Sequence, residues 1–390
     1  MSKSILFLSN AYPDFESSYR GIFIKQMALY LKEGGFKISV VTPKIYKKSP
    51  FFESQDGIPV YRFPFFAGDK LLIEHEKVPY LRMVLYYITG FFFSLYAILK
   101  NHCDLIHVHW AIPTGLIGVA AGKLLGKPMV VTVHGSDLRM AMAGSPLLKR
   151  IFVYVCRNAK HLHLVSEIMR KEIETFGISK EKISIWPMGV DEVFWQCGRN
   201  RKKRLTGDPV TVFSNRNLLP IYDVSCLIRA VPMILKDEPR VRFLIAGDGS
   251  EKAKLEGEAR HLSPRASVQF LGRVPHDQMP GLLAQADIYV STSLSDGTSV
   301  SLLEAMGAGD FPVVTDIPSN REWISDGDNG FLFPVGDEGR LADRIVEGIR
   351  NRELFERAIK INQNIIVEKG HWKKNIYKTI ELYEQALRAR

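Results

Sequence analysis

The sequence predicts an α/β protein built as two Rossmann-like domains. Short apolar runs alternate with longer helical patterns, and that alternation starts twice, at Ile5 and again near Pro209. The 390 residues are enough for two domains of ordinary size. An apolar share of 46% and a charged share of 24% are globular values. The net charge of +10 points to an anionic partner, and nucleic acid, an acidic membrane surface and phosphorylated substrates are the classes that fit. Cys103, Cys156, Cys197 and Cys226 are scattered without C-x-x-C spacing, which argues against zinc and against a disulfide framework. A reducing compartment fits best. Met1-Ser2-Lys3-Ser4 runs straight into an apolar strand, so no secretory signal is expected.

Residues 5–8 read as a buried strand, ended by Ser9-Asn10 and a loop through Pro13 to Gly21. A helix over 22–31, Gly34-Gly35 and a strand over 37–42 follow. This order opens a Rossmann-like sheet, although no G-x-G-x-x-G is present and a dinucleotide reading is weak. Residues 50–82 read as irregular and aromatic. Phe51, Phe52, Tyr61, Phe63, Phe65 and Phe66 either pack the domain edge or join Lys47, Lys48, Lys70 and Lys77 in an acceptor-side or membrane-facing surface. Packing is the simpler reading. The stretch 83–99 is uncharged between Arg82 and Lys100. About 17 residues is the lower edge of a bilayer span, and the tyrosines favour a buried or interfacial helix.

Asp104–Trp110 reads as a strand with His107 and His109 on one face. Two histidines without a third ligand nearby make a weak metal site. A Gly/Ala-rich helix over 115–125 and a strand over 129–133 lead to His134-Gly135-Ser136-Asp137. Ligands of open α/β sheets gather at the carboxyl ends of strands, which makes His134 a candidate for chemistry. The alternatives are a capped histidine at a strand end and, for Asp137, a helix N-cap. The basic segment Lys149–Lys160, with Arg150 and Arg157 among Phe152, Tyr154 and Val155, is either a solvated helix face or a patch for acidic lipid headgroups. A strand over 163–166, a helix over 167–176 and a strand over 183–185 complete this half.

Residues 196–209 read as a linker, with Arg199, Arg201, Lys202, Lys203 and Arg204 beside Gly198 and Gly207. It divides the chain into 1–195 and 210–370, with 371–390 as a closing helix. No nucleic-acid-reading module surrounds this basic run, so nucleic acid is not an expected partner. The second half starts over with a strand at 209–214, a helix at 224–235 and a strand running into Gly247-Asp248-Gly249. Strands over 268–271 and 286–290 precede the stretch with most chemistry in it, Asp296-Gly297-Thr298-Ser299-Val300-Ser301-Leu302-Leu303-Glu304. A strand, a small-residue loop and a helix from Leu302 collect free N–H groups at a helix N-terminus, where hydrogen bonds and the macrodipole attract phosphate. Gly297 allows close backbone approach. Asp296 and Glu304 sit awkwardly beside phosphate and suit a sugar diol, since a carboxylate accepts two hydroxyl hydrogen bonds. The plainer reading makes Asp296 a turn residue and Glu304 a solvated helix residue. A strand over 312–315 and charged helices from about Arg340 finish the chain.

Asp296, seven intervening residues and Glu304-Ala305-Met306 resemble the signature of the retaining glycosyltransferases of family 4, whose first acid is usually Glu. The similarity extends to Asp104-Leu105-Ile106-His107-Val108-His109, His134-Gly135, Pro187-Met188-Gly189-Val190-Asp191, Ala246-Gly247-Asp248-Gly249 and Gly272-Arg273-Val274. The resemblance implies the GT-B fold: two Rossmann-like domains facing a cleft, with a C-terminal helix returning to the first domain. It implies that Glu304 binds the nucleotide ribose, that Asp296 and His134 contact the transferred sugar, and that N–H groups around Thr298, Ser299 and Val300 hold the diphosphate. Gly247 would line the nucleotide, Arg273 and Val274 match the base-reading segment, and Gly21 stands alone where the family often has a Gly-Gly pair. One departure matters. Arg216 matches a diphosphate clamp, but Ile221 or Tyr222 occupies the place of its usual Lys partner. Either Arg321 or Arg273 substitutes, or the donor is handled differently, or the site is inactive.

The implied activity is a retaining glycosyltransferase, hexosyltransferase in type. It would move a sugar from a nucleoside diphosphate donor to a hydroxyl of a saccharide or lipid-linked acceptor, in cell-surface polysaccharide or glycolipid synthesis. Neither metal nor cofactor is expected. The place would be the cytoplasm, with peripheral contact on the acidic inner membrane face. A nucleotide-sugar isomerase or epimerase on a similar scaffold, and an inactive nucleotide-sugar-binding protein, are the alternatives.

Overall fold

The computed structural model describes residues 2–15, 18, 20–65, 68–69, 80–199, 209–262 and 267–388. Phe66, Lys70 and Lys77, and the basic run through Arg201, Lys202, Lys203, Arg204 and Gly207, lie outside them. The chain divides into two compact units, Met1–Met188 with Trp372–Arg390, and Gly189–His371.

The first unit contains β1 (Ser4–Ser9), α1 (Ile22–Glu33), β2 (Lys37–Lys44), β3 (Phe52–Gln55), β4 (Ile58–Pro64), α2 (Tyr80–Lys100), β5 (Leu105–His109) and α3 (Gly115–Leu125). It continues through β6 (Met129–Val133), α4 (Ser136–Ala143), α5 (Pro146–Asn158), β7 (His161–Leu164), α6 (Ile168–Glu174) and β8 (Ile183–Ile185). Its eight strands lie in the order β3-β4-β2-β1-β5-β6-β7-β8. All pairings are parallel except β3 with β4. Strands β1, β5 and β6 are buried along their length, as a parallel sheet with covered faces requires.

The hairpin of β3 and β4 corrects the irregular reading of residues 50–65. Asp56 and Gly57 both take positive φ, 51° and 74°, and turn the chain tightly between the two strands. The uncharged stretch 83–99 proves helical but only half covered. Tyr86, Ser94, Ala97 and Ile98 are buried, and Gly90 lets α2 approach α3 so closely that a Cβ there would lie 2.6 Å from Ile117.

The second unit contains α7 (Glu192–Arg199), β9 (Thr211–Ser214), α8 (Val224–Asp237), β10 (Arg242–Ala246), α9 (Lys252–Leu262), β11 (Val268–Gly272), α10 (Met279–Leu283) and β12 (Ile288–Ser291). It continues through α11 (Val300–Ala308), β13 (Phe311–Thr315), α12 (Pro318–Arg321), β14 (Phe331–Phe333), α13 (Glu338–Arg350) and α14 (Arg352–Ile365). Its six strands are all parallel, in the order β11-β10-β9-β12-β13-β14. The units divide between Met188 and Gly189, ahead of the basic run, because Phe194 and Trp195 of α7 enter the second unit's core with Leu302, Leu303 and Met306. The final helix, α15 (Trp372–Arg388), belongs to the first unit, where Trp372 stacks on Tyr30 and Tyr383 is fully buried.

Candidate active site

In the second unit the polar residues collect at the carboxyl ends of β9, β10 and β12. Three loops lock together there. Gly247, at φ 152°, presses so closely on Arg216 that a Cβ would stand 2.2 Å from its carbonyl oxygen. Leu218 N donates to Asp248 O at 3.0 Å, and Leu294 N donates to Ile221 O at 2.9 Å. Thr292 Oγ1 adds a 2.8 Å bond to Tyr222 O. The loop after β9 is thereby clamped between the loops after β10 and β12.

That clamp aims Arg216 at the start of α11. Its Nη1 donates to Ser299 Oγ at 2.7 Å and its Nη2 donates to Asp296 Oδ2. The guanidinium lies 4.3 Å from the centroid of Tyr222, the residue near the place of the family's Lys, so a ring packs on the arginine instead of a second cation. Arg216 Nε is buried with no hydrogen-bond partner among the described residues. Helix α11 begins at Val300, two residues before the sequence suggested, because Ser299 caps it by accepting from Leu302 N at 3.3 Å. The amides of Val300 and Ser301, like first-turn amides of any helix, have no intrahelical acceptor. Asp296 is not open: its other oxygen accepts from Gly297 N at 2.8 Å. Gly297 is buried and Thr298 partly so.

Glu304 is buried inside α11 rather than solvated, and its Oε1 accepts from His276 Nε2 at 2.7 Å. Burial pulls the His276 pKa down, but the charge and hydrogen bond of Glu304, with Asp191 and Asp277, more than offset it and leave the pKa raised. Phe194 contacts the His276 ring edge-on at 5.5 Å. Arg273 pairs with Asp248 at 3.5 Å and Val274 packs on the core. Arg321 pairs with Asp316 on an exposed surface. Both cations considered as replacements for the Lys are therefore held by acids.

In the first unit the candidate residues sit at the ends of β5 and β6. Asp137 is not an N-cap in the ordinary sense. One carboxylate oxygen accepts from the amides of His134, Gly135 and Leu138, and the other accepts from Ala111 N at 2.8 Å. Burial pushes its pKa up to about 6 against those bonds. The effect is to fix the loop that carries His134. That ring lies 4.4 Å from Trp110 and 5.3 Å from Phe23, and its Nε2 shares a 3.2 Å hydrogen bond with His109 Nδ1. Phe23 follows Gly21, whose φ of 66° and tight approach to Ala11 exclude a side chain. Behind this edge His107 bonds Tyr383 and Thr132, Thr132 bonds His163, and His163 bonds the Trp186 carbonyl. Burial, then mutual repulsion, holds His107 and His109 well below the usual range; burial first of all takes His163 down to about 4 and His134 to about 3.

Comparison with known proteins then decides the family. The pattern for glycosyltransferase family 4 matches residues 21–194 and that for glycosyl transferases group 1 matches residues 199–365. The chain is 30% identical to phosphatidyl-myo-inositol mannosyltransferase of Mycobacterium leprae over 291 residues, covering 72% of this chain and 73% of that one. This chain is a family 4 glycosyltransferase. It is also 24% identical over 295 residues to N-acetyl-alpha-D-glucosaminyl L-malate synthase of Bacillus anthracis, covering 74% and 76% of the two chains. Its fold matches sucrose-phosphate synthase from Thermosynechococcus elongatus over 100% of both chains, with a TM-score of 0.79 at 16% identity. It also matches the Anabaena protein Alr3699/HepE, solved with UDP-glucose, over 97% and 99% of the chains with a TM-score of 0.73 at 19% identity. The glycosyltransferase therefore has the GT-B fold. Sequence reasoning missed three residues at these strand ends, His276, Tyr222 as a partner of Arg216, and Tyr383. His276 sits two positions beyond Val274, just past a segment already singled out, and its ionisable ring was the available signal.

Proposed function

We propose that this glycosyltransferase is a retaining enzyme. In this reading it moves a sugar from a nucleoside diphosphate donor to a hydroxyl of a saccharide or lipid-linked acceptor. The acceptor oxygen attacks the anomeric carbon on the face the diphosphate leaves. The bond to the leaving phosphate oxygen breaks, that oxygen takes the acceptor's proton, and the new glycosidic bond keeps the original configuration. Such a reaction asks the protein for positioning and charge stabilisation rather than a nucleophile.

The observation that carries the reading is the cluster of Arg216, Asp296 and Ser299 at the start of α11. Arg216 Nε and the first amides of α11 are assigned to the leaving diphosphate, and Glu304 to the ribose hydroxyls. Asp296 orients the transferred sugar from its place beside Arg216, and His134 is assigned to the same sugar. Gly247, Arg273 and Val274 are assigned to the nucleotide. Lipid-linked acceptors are favoured because the mycobacterial relative is a phosphatidyl-myo-inositol mannosyltransferase. A teichuronic acid enzyme among the relatives supports cell-surface polymer synthesis as the setting. The enzyme is then cytoplasmic and works at the inner membrane face.

The test is a thermal-shift screen of nucleotide-sugars followed by transfer assays and assignment of the product anomer by NMR. A nucleotide-sugar that raises the melting temperature and yields a product of retained configuration supports the reading. An epimerised sugar formed without acceptor points to an isomerase instead. No shift by any nucleotide-sugar at millimolar concentration removes donor binding and with it the proposal.

A further inference from the structure

The outer side of α2 carries a continuous apolar stripe. Leu81, Val84, Ile88, Phe92, Tyr96 and Leu99 recur every three or four residues and are all more than half exposed, Leu81 at 90% and Phe92 at 62%. At 1.5 Å per residue the stripe runs for about 27 Å. A soluble surface rarely exposes so long an apolar row without a partner for it.

The surrounding charge says what the partner is. Helices α2, α3 and α5 lie side by side on one face of the first sheet. Together they contain no Asp or Glu, and they carry Arg82, Lys100, Lys123, Lys149, Arg150 and Arg157. Three of these cations are held against aromatic rings, Lys149 among them with its Nζ 5.1 Å from the Phe176 ring. Lys100 Nζ bonds Tyr96 OH at 3.0 Å and lies 5.3 Å from the Phe52 ring, while Lys123 Nζ bonds Tyr154 OH at 3.2 Å. Ammonium groups lifted on aromatic bodies beside exposed leucines match the layering of a membrane interface, with acyl chains inside and phosphates outside. A second copy of this chain fits poorly. Two α2 helices packed parallel set Arg82 on Arg82 and Lys100 on Lys100, and packed antiparallel they set Arg82 on Lys100, so every arrangement opposes like charges.

We infer that the face formed by α2, α3 and α5 is a docking surface for an anionic lipid bilayer. Its apolar stripe seats at the headgroup–acyl boundary and its six cations at the level of the phosphates. This deepens the placement at a membrane proposed above, and it is measurable without any sugar donor. The full chain is sedimented with vesicles of phosphatidylglycerol and phosphatidylcholine, and with vesicles of phosphatidylcholine alone. Binding at least tenfold stronger to the anionic vesicles, falling with added salt, is expected. Ile88→Glu with Phe92→Glu lowers that binding at least tenfold while the melting temperature is kept, since both positions already face outward. Lys100→Glu with Lys123→Glu lowers it by about fivefold or more for each cation lost. The inference is overturned if the chain does not sediment with anionic vesicles, or if both pairs of variants still bind. It is equally overturned if the wild type is a concentration-dependent dimer that Ile88→Glu with Phe92→Glu makes monomeric. None of these outcomes touches the assignment of the transfer reaction, which the donor screen tests separately.

Discussion

The two units present polar groups at the same place, the carboxyl ends of parallel strands, and keep them there by opposite electrostatic means. The first unit stacks histidines, His107, His109, His134 and His163, whose burial keeps them neutral. The second pairs Arg216 with Asp296 as an ion pair and sets His276, whose pKa is raised, on the Glu304 carboxylate. Neutral rings in a low dielectric need hydrogen-bond partners rather than counter-ions, and Thr132, Tyr383 and the Trp186 carbonyl supply them to His107 and His163. Buried charges need an ion of opposite sign, and removing one member strands the other. Between the histidine array and these pairs, the pairs are thus where a single substitution should cost more.

The largest effect is expected for Arg216→Ala, which removes the cation assigned to the leaving group and leaves Asp296 unpaired. A fall of about 10³-fold in kcat/KM for transfer is expected. Steady-state kinetics with the donor found by the screen check it. A fall below tenfold would mean that the pair is structural and that the comparison rests on the wrong charges. His134→Ala, in the neutral array, should lower kcat by about 10²-fold, a loss on the scale of one positioning or proton-handling group, with the melting temperature little changed. His276→Gln should raise the donor KM by about tenfold and leave kcat nearly intact, because it loosens Glu304 without touching the reacting atoms. A double-mutant cycle with Glu304→Gln should return coupling of about 1 kcal/mol or more. Tyr222→Lys restores a cation beside Arg216, and a modest change of a fewfold in donor KM is expected.

pH separates the units in sign. The buried histidines of the first unit have folded pKa values below the unfolded value near 6.5, so the unfolded chain binds protons first. Stability there is intact above pH 6.5 and is lost as pH falls toward about 4, the value for His163. Asp137, pushed up to about 6, runs the other way and offsets part of that loss. In the second unit His276 is raised, so its contribution is complete below about pH 6.5 and is lost as pH climbs through the folded value. Thermal proteolysis with fragments assigned by mass spectrometry should show the first unit weakening in acid and the second weakening in base. The same direction in both would dissolve the contrast.

How much of this was legible in the sequence follows the range of the interactions. Helices and parallel strands with long apolar patterns, such as β5, β6 and α8, were readable because their periodicity is local. The hairpin of β3 and β4 was not, since its alternation was hidden among aromatics, although Asp56-Gly57 between two such runs is a recognised turn signal. The three-residue β14 was missed, although the equally short β8 was read from Ile183-Ser184-Ile185. At the site, Arg216, Asp296 and Ser299 were named from motif and resemblance, and the structure brings those three together. It did not follow that Asp296 would be occupied by Arg216, because Coulomb pairing across 80 positions leaves no mark on spacing. His276 meets Glu304 across 28 positions, and Tyr383 meets His107 across 276, and neither is visible to any local rule.

That last pairing has a consequence for biosynthesis. The first unit is not whole until α15 has left the ribosome, because Tyr383 fills its interior against His107 and Trp372 stacks on Tyr30. The whole of Gly189–His371 is made in between and has its own core to close on. A nascent chain therefore waits with a gap at the centre of its earliest sheet while a later portion matures. Premature release should leave a product that chaperones and proteases see as damaged at its beginning, although what it lacks is its end.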